Sequence, residues 1–134
     1  MTAVRGSVRR QIVVHRPPDE VWGLVGDPAR LAEWFPGIDS AVVDGDERVI
    51  TTGTGIPMPE QILTVDPLQR RFQYRITSPL FTEHLGTIDV LALEDGTSLV
   101  VYSTDAQPSV MALVIGGATG GALHKLRDLM EGTD

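Results

Sequence analysis

The sequence predicts an α+β fold in which a curved antiparallel sheet of about seven strands surrounds one long C-terminal helix. Three observations predict it. The elements run in the order strand, two short helices, six strands, long helix. The central strands are joined by short turns, which forces antiparallel pairing, because parallel neighbours need crossovers of roughly a dozen residues. The apolar period is two from Ile38 onward and turns helical after Asp105.

Each element has a local cause. Ser7 to His15 alternates, with Val8, Ile12 and Val14 among polar residues, and reads as the first strand. Arg16-Pro17-Pro18 ends it. Pro18 suits the first helical position, and Asp19 and Glu20 set negative charge at the positive end of a helix running to about Val25. Gly26 stops that helix, and Asp27-Pro28 caps and opens the next. Its Leu31, Trp34 and Phe35 share a side, and Pro36-Gly37 breaks it. Ile38 to Val43 and Arg48 to Thr54 form a hairpin about Asp44-Gly45-Asp46. A loop from Gly53 to Pro59 follows, then strands at Glu60 to Val65, Arg71 to Thr77, about Glu83 to Leu93, and Ser98 to Thr104. The last helix spans about Pro108 to Glu131. Its centre, Gly116-Gly117-Ala118-Thr119-Gly120-Gly121, predicts a kink or break, since each interior glycine costs about 1 kcal/mol relative to alanine.

Length and composition narrow the function. A chain of 134 residues fits one domain with a real core, and 42% hydrophobic with 22% charged residues is an ordinary globular balance. Without cysteine there can be no disulfide, thiolate metal site or cysteine nucleophile. The first ten residues have no apolar core segment, so they do not read as a signal peptide, and no apolar run reaches the length of a membrane span. The expectation is a cytoplasmic protein. A net charge of −7 with scattered arginines disfavours nucleic acid and anionic membranes as partners. His15, His84 and His124 lie on separate elements, so no metal is expected. The glycine cluster lacks the lysine and hydroxyl that follow a phosphate loop, and no nucleophile-elbow pattern is present. No cofactor is expected. A twisted sheet around a single helix seldom closes completely, and the gap is a natural pocket.

Pro18-Asp19-Glu20-Val21-Trp22, then Asp27 to Ile38, resembles the opening of the START-like superfamily, also called the polyketide cyclase/dehydrase and lipid-transport superfamily, with the Bet v 1-like helix-grip fold. The likeness runs through essentially the whole chain. It implies an internal cavity for a small hydrophobic molecule. A second likeness is to plant abscisic-acid receptors: Thr54-Gly55-Ile56-Pro57-Met58-Pro59-Glu60 is similar to their gate loop and the glutamate after it, whereas their pocket lysine has no match in Ile38 to Val43.

Strand alternation and this fold together assign Phe72, Tyr74 and Ile76, then His84, Gly86 and Ile88, then Val100, Tyr102 and Thr104, to the cavity side. A one-residue slip would bring Asp89 inward instead of His84. Trp34 and Phe35 are expected at the mouth or in the core, Ile56 and Met58 on the gate, and Leu113 and Gly117 on the helix wall. Glu60, at the start of its strand, could meet a ligand polar group or serve as a general base if desolvated; the plain alternative is a solvated rim glutamate. His84 could orient or deprotonate a ligand, or simply bond to backbone. Tyr74 and Tyr102 offer hydroxyls on apolar bodies, or packing alone.

Three functions fit these readings. The first is a binding or carrier module for a lipid, isoprenoid or aromatic polyketide. The second is an aromatase/cyclase or dehydratase-type enzyme in which Glu60, His84 or Tyr102 shuttles protons. The third is a protein-interaction or regulatory-pair module; separately, the glycine-rich helix could pair across a homodimer interface.

Overall fold

The computed structural model describes residues 4–132; residues 1–3 and 133–134 lie outside the described part. Strand β1 (Gly6–Val14) is followed by α1 (Pro18–Val25), a single 3-10 turn (Pro28–Arg30) and α2 (Leu31–Trp34). Six strands follow: β2 (Ile38–Asp44), β3 (Glu47–Thr52), β4 (Pro57–Asp66), β5 (Arg71–Ile76), β6 (Glu83–Ala92) and β7 (Ser98–Gln107). Helix α3 (Ser109–Glu131) ends the chain. The sheet order is β1-β7-β6-β5-β4-β3-β2, antiparallel throughout. This is the helix-grip arrangement, with β1 and β2 at opposite edges and α1 and α2 bridging them.

Local chemistry explains the boundaries. Asp27 Oδ1 accepts the Ala29 N–H at 3.0 Å and caps the 3-10 turn. Gly45, at φ +61°, makes the tight β2–β3 hairpin. Strand β4 starts three residues earlier than the sequence reading, so the expected loop from Gly53 to Pro59 is shorter and Pro57 to Pro59 pair with β3. The Ile56 carbonyl and the Ile62 N–H both bond toward β3. The missing N–H groups of Pro57 and Pro59 therefore fall on the opposite side, beyond the last β4–β5 pair, Glu60 with Ile76. Proline is tolerated there because no neighbouring strand needs the donor. Strand β7 also runs past the expected Thr104 to Gln107, because β1 pairs with it along its whole length, from Val14↔Ser98 to Gly6↔Ala106.

The concave face buries Val14, Phe72, Ile88, Val90, Val100 and Tyr102 against Leu123 and Leu126 of α3 and Val21, Leu24 and Trp34 of α1 and α2. The C-terminal end of α3 is tied to the β1–α1 junction. Glu131 Oε2 accepts the His15 N–H at 2.9 Å, and Arg16 Nε donates to the Met130 carbonyl at 2.8 Å. The N-terminal half of α3 is less covered, with Val110, Leu113 and Val114 exposed.

The expected kink at the glycine cluster is absent: α3 is one unbroken helix. Packing explains how the glycines are accommodated. A Cβ on Gly116 would lie 2.6 Å from Val8 Cγ1, so this glycine lets α3 approach β1 closely. Gly117 and Gly121 face open space. Alanine at these positions should therefore act with opposite signs in urea unfolding. Gly117→Ala and Gly121→Ala should each stabilise by about 0.5–1 kcal/mol. Gly116→Ala should destabilise by about 1–3 kcal/mol, because the β-branched Val8 has little room to move. Stabilisation at all three positions would contradict this packing.

Candidate functional site

A cavity of about 180 Å³ lies between β3, β4 and β5, the α2–β2 connection, and α3. Its wall is apolar, built from Leu31, Phe35, Ile50, Met58, Ile76 and Ile115, with Ala118 and Pro36-Gly37 beside them. Glu60, Tyr74 and Thr52 supply the polar side chains.

Alternation on β3 and β4 sets the polar end. Arg48 and Glu60 are directly paired across the two strands, and both point inward. Arg48 is 1% and Glu60 4% exposed. Arg48 Nε donates to Glu60 Oε1 at 2.7 Å, and Nη2 lies 2.7 Å from the same oxygen without the alignment of a hydrogen bond. Arg48 Nη1 donates to the Pro28 carbonyl at 3.1 Å, which ties β3 to the turn before α2. The guanidinium carbon sits 5.3 Å from the Phe72 ring centroid and 5.0 Å from that of Tyr74, a cation–π arrangement. Burial raises the Glu60 carboxyl above its ordinary range, and the Arg48 charge and hydrogen bond offset only part of that rise.

The two tyrosines meet in the interior. Their hydroxyls share a hydrogen bond, and burial holds both well above the ordinary phenol range, so both stay protonated. The Tyr74 ring occupies the space a side chain on Gly86 would need: a Cβ there would lie 2.5 Å from the ring. Glycine at 86 therefore lets Tyr74 lie across β6. Tyr102 is walled by Trp34 and Phe35, with ring centroids 6.2 and 6.4 Å away.

His84 is 2% exposed. Its Nδ1 accepts the Ile76 N–H at 2.9 Å, which places the proton on Nε2, and Nε2 has no hydrogen-bond partner among the described residues. Desolvation lowers its pKa from 6.5 to about 4, against a small opposing effect of Asp105. A histidine kept neutral and engaged at Nδ1 is a poor base at neutral pH. His84 is therefore the backbone-bonded residue that was the plain alternative. It packs edge-on against Phe81 and tilted against Tyr74.

Of the residues named from the sequence, Phe35, Met58, Glu60, Tyr74 and Ile76 line the cavity. Trp34, Phe72, His84, Gly86, Ile88, Val100 and Tyr102 face the interior but are packed around it. Ile56, Leu113 and Gly117, expected on the gate and the helix wall, are exposed instead, Leu113 at 65%, and none lines the cavity. The helical phase of α3 turns Ile115 and Ala118 to the cavity instead. Glu60 is likewise no solvated rim residue. Arg48 was missed. The available signal was strand parity, since an inward Ile50 requires an inward Arg48 two residues earlier.

These features define a curved sheet gripping its last helix, with a small, partly open apolar cavity between them. The chain belongs to the polyketide cyclase/dehydrase and lipid transport family, whose model matches residues 5–131. Among solved structures it is similar to the Bacillus cereus protein XoxI, at 24% identity over 94% of this chain and 96% of that one, with a TM-score of 0.86. A START superfamily protein from Mycobacterium smegmatis matches at 12% identity over 96% and 99% of the two chains, with a TM-score of 0.79. A norcoclaurine synthase point mutant from Thalictrum, solved with a transition-state analogue, matches at 16% identity over 98% of both chains, with a TM-score of 0.77. At these identities the structures establish the fold. No curated protein sequence matches the chain. No helix among the described residues is long and apolar enough to cross a membrane.

Two predictions test the buried polar groups. Arg48→Met should cost about 3–5 kcal/mol by leaving Glu60 buried and unpaired, whereas Arg48→Met with Glu60→Leu should recover most of that loss. Purely additive losses in urea unfolding would show that the pair is not coupled. The second concerns pH. Between 6.5 and about 4 the unfolded chain holds more protons at His84 than the folded one, so its contribution to stability is whole above 6.5 and is lost as pH falls toward 4. His84→Asn keeps an acceptor without titrating. It should flatten the fall in stability across that window; an unchanged slope would count against the assignment.

Proposed function

We propose that this protein binds a small apolar molecule in the cavity between β3–β5 and α3. The family and fold fit a hydrophobic-ligand or polyketide cyclase-like role. The observation that carries the binding reading is the cavity itself: an apolar space of about 180 Å³ with a few fixed polar groups at one end. Its size narrows the occupant. Ligand pockets commonly measure roughly 300–1,000 Å³, so a whole lipid or polyketide chain does not fit this space as it stands. Apolar cavities of about 150 Å³ accept benzene. A single ring, or a branched chain of similar bulk, matches the volume.

Proton transfer is less well supported. Glu60 and Tyr74 do face one cavity. Glu60, however, is held by Arg48, the tyrosines are held protonated, and His84 is pushed down to about 4. A general acid or base works best with a pKa near the operating pH.

Toluene binding followed by amide chemical shifts tests the reading. Shifts should cluster at Ile50, Met58, Ile76 and Ile115. At about a hundred times its dissociation constant, toluene should stabilise the fold by roughly 2.7 kcal/mol. Ala118→Trp, at a partly open position, should fill the space and weaken binding at least about tenfold with stability nearly unchanged. Scattered shifts, or unchanged binding in the variant, would refute the cavity as the site.

A further inference from the structure

We propose that the cavity selects a neutral single-ring-sized molecule bearing one hydroxyl, which donates its proton to Oε2 of Glu60. The inference rests on the apolar-ligand reading above and adds the functional group that the site recognises. Glu60 Oε1 is engaged by Arg48, whereas no protein donor among the described residues is aligned on Oε2. The residue is nearly inaccessible yet lines the cavity. Oε2 therefore keeps acceptor capacity that a ligand hydroxyl can take up. The rest of the wall is almost entirely apolar, so it offers few competing polar anchors.

The charge state of the ligand follows from the pair. Arg48 already balances the carboxylate, so an ammonium group would be desolvated with no net charge to meet it. A ligand carboxylate would face the Glu60 oxygen and be repelled. A hydroxyl fits both constraints. Tyr74 adds a second contact. Its hydroxyl is paired with that of Tyr102, and one proton of that pair is left to donate. With Tyr102 as donor to Tyr74, the Tyr74 O–H is free for the cavity, and one ligand oxygen can accept from it while donating to Glu60. Arg48 acts here as a positioning residue, fixing which carboxylate oxygen is free.

The test compares phenol with toluene, which differ by hydroxyl against methyl, in direct binding titrations on the intact chain. Phenol should bind about tenfold to a hundredfold more tightly. Glu60→Gln keeps the shape but turns the free oxygen into an N–H donor once its carbonyl faces Arg48. It should lower the phenol-to-toluene affinity ratio at least about tenfold, because the hydroxyl proton loses its acceptor. Should that variant fold poorly, Arg48→Met with Glu60→Leu removes the acceptor without stranding a charge and should show the same loss. Equal affinity for phenol and toluene in the wild type would overturn the inference while leaving the binding site standing. A phenol advantage that survives in the variants would overturn it too, by showing that another group reads the hydroxyl. Binding of neither probe would remove the binding reading and this inference together.

Discussion

The Arg48–Glu60 ion pair is the constraint around which the interior of this protein is arranged. Two charges withdrawn from water are tolerated only when geometry and further hydrogen bonds offset their desolvation. Here the pairing of β3 with β4 sets the two residues face to face, the Pro28 carbonyl takes a third contact, and the Phe72 and Tyr74 rings cover the guanidinium. The pair thereby links the β3–β4 hairpin, the turn before α2 and strand β5. Of these, β3, β4 and β5 border the cavity. Because Arg48 engages one carboxylate oxygen, the polar end of the cavity has a fixed direction.

The cavity is a consequence of how α3 closes the sheet. Its C-terminal half is tied to His15 and Arg16 and buries Leu123 and Leu126. Its first half approaches β1 at Gly116, where the absence of a side chain permits contact with Val8. Strands β3 to β5 lie on the far side of the sheet from β1, so a helix drawn toward β1 leaves them incompletely covered. Phe35, Ile115 and Ala118 border the space that results. Sequence features that read separately, a glycine cluster and a Pro36-Gly37 break, thus contribute to one site.

The order of elements was legible in the sequence because short turns and alternating strands leave few topologies open. The inward face of β5 was also legible, since Phe72, Tyr74 and Ile76 alternate with Arg71, Gln73 and Arg75, whereas on β6 and β7 both faces carry apolar residues and the fold itself set the phase. Three features were not. The β4 boundary was hidden because Pro57 and Pro59 look like loop residues until the end of β5 is known. The straightness of α3 was hidden because glycine cost is local, whereas the packing of Gly116 on Val8 is tertiary. Arg48 was hidden by residue type: an arginine on a strand reads as solvated unless its cross-strand partner is recognised as buried too. The helix-wall residues failed for a simpler reason. Leu113 and Gly117 are two residues before Ile115 and one before Ala118, and on a helix such offsets turn a side chain from cavity to solvent.

The central claim is that an apolar space persists beside a fixed carboxylate. A crystal structure under xenon pressure tests it most directly, because xenon enters dry cavities of this size without needing a hydrogen bond. The account predicts ordered xenon between Ile50, Met58, Ile76 and Ile115, with Glu60 still held by Arg48. Side chains collapsed into that space, with no xenon at any pressure the crystal survives, would contradict it.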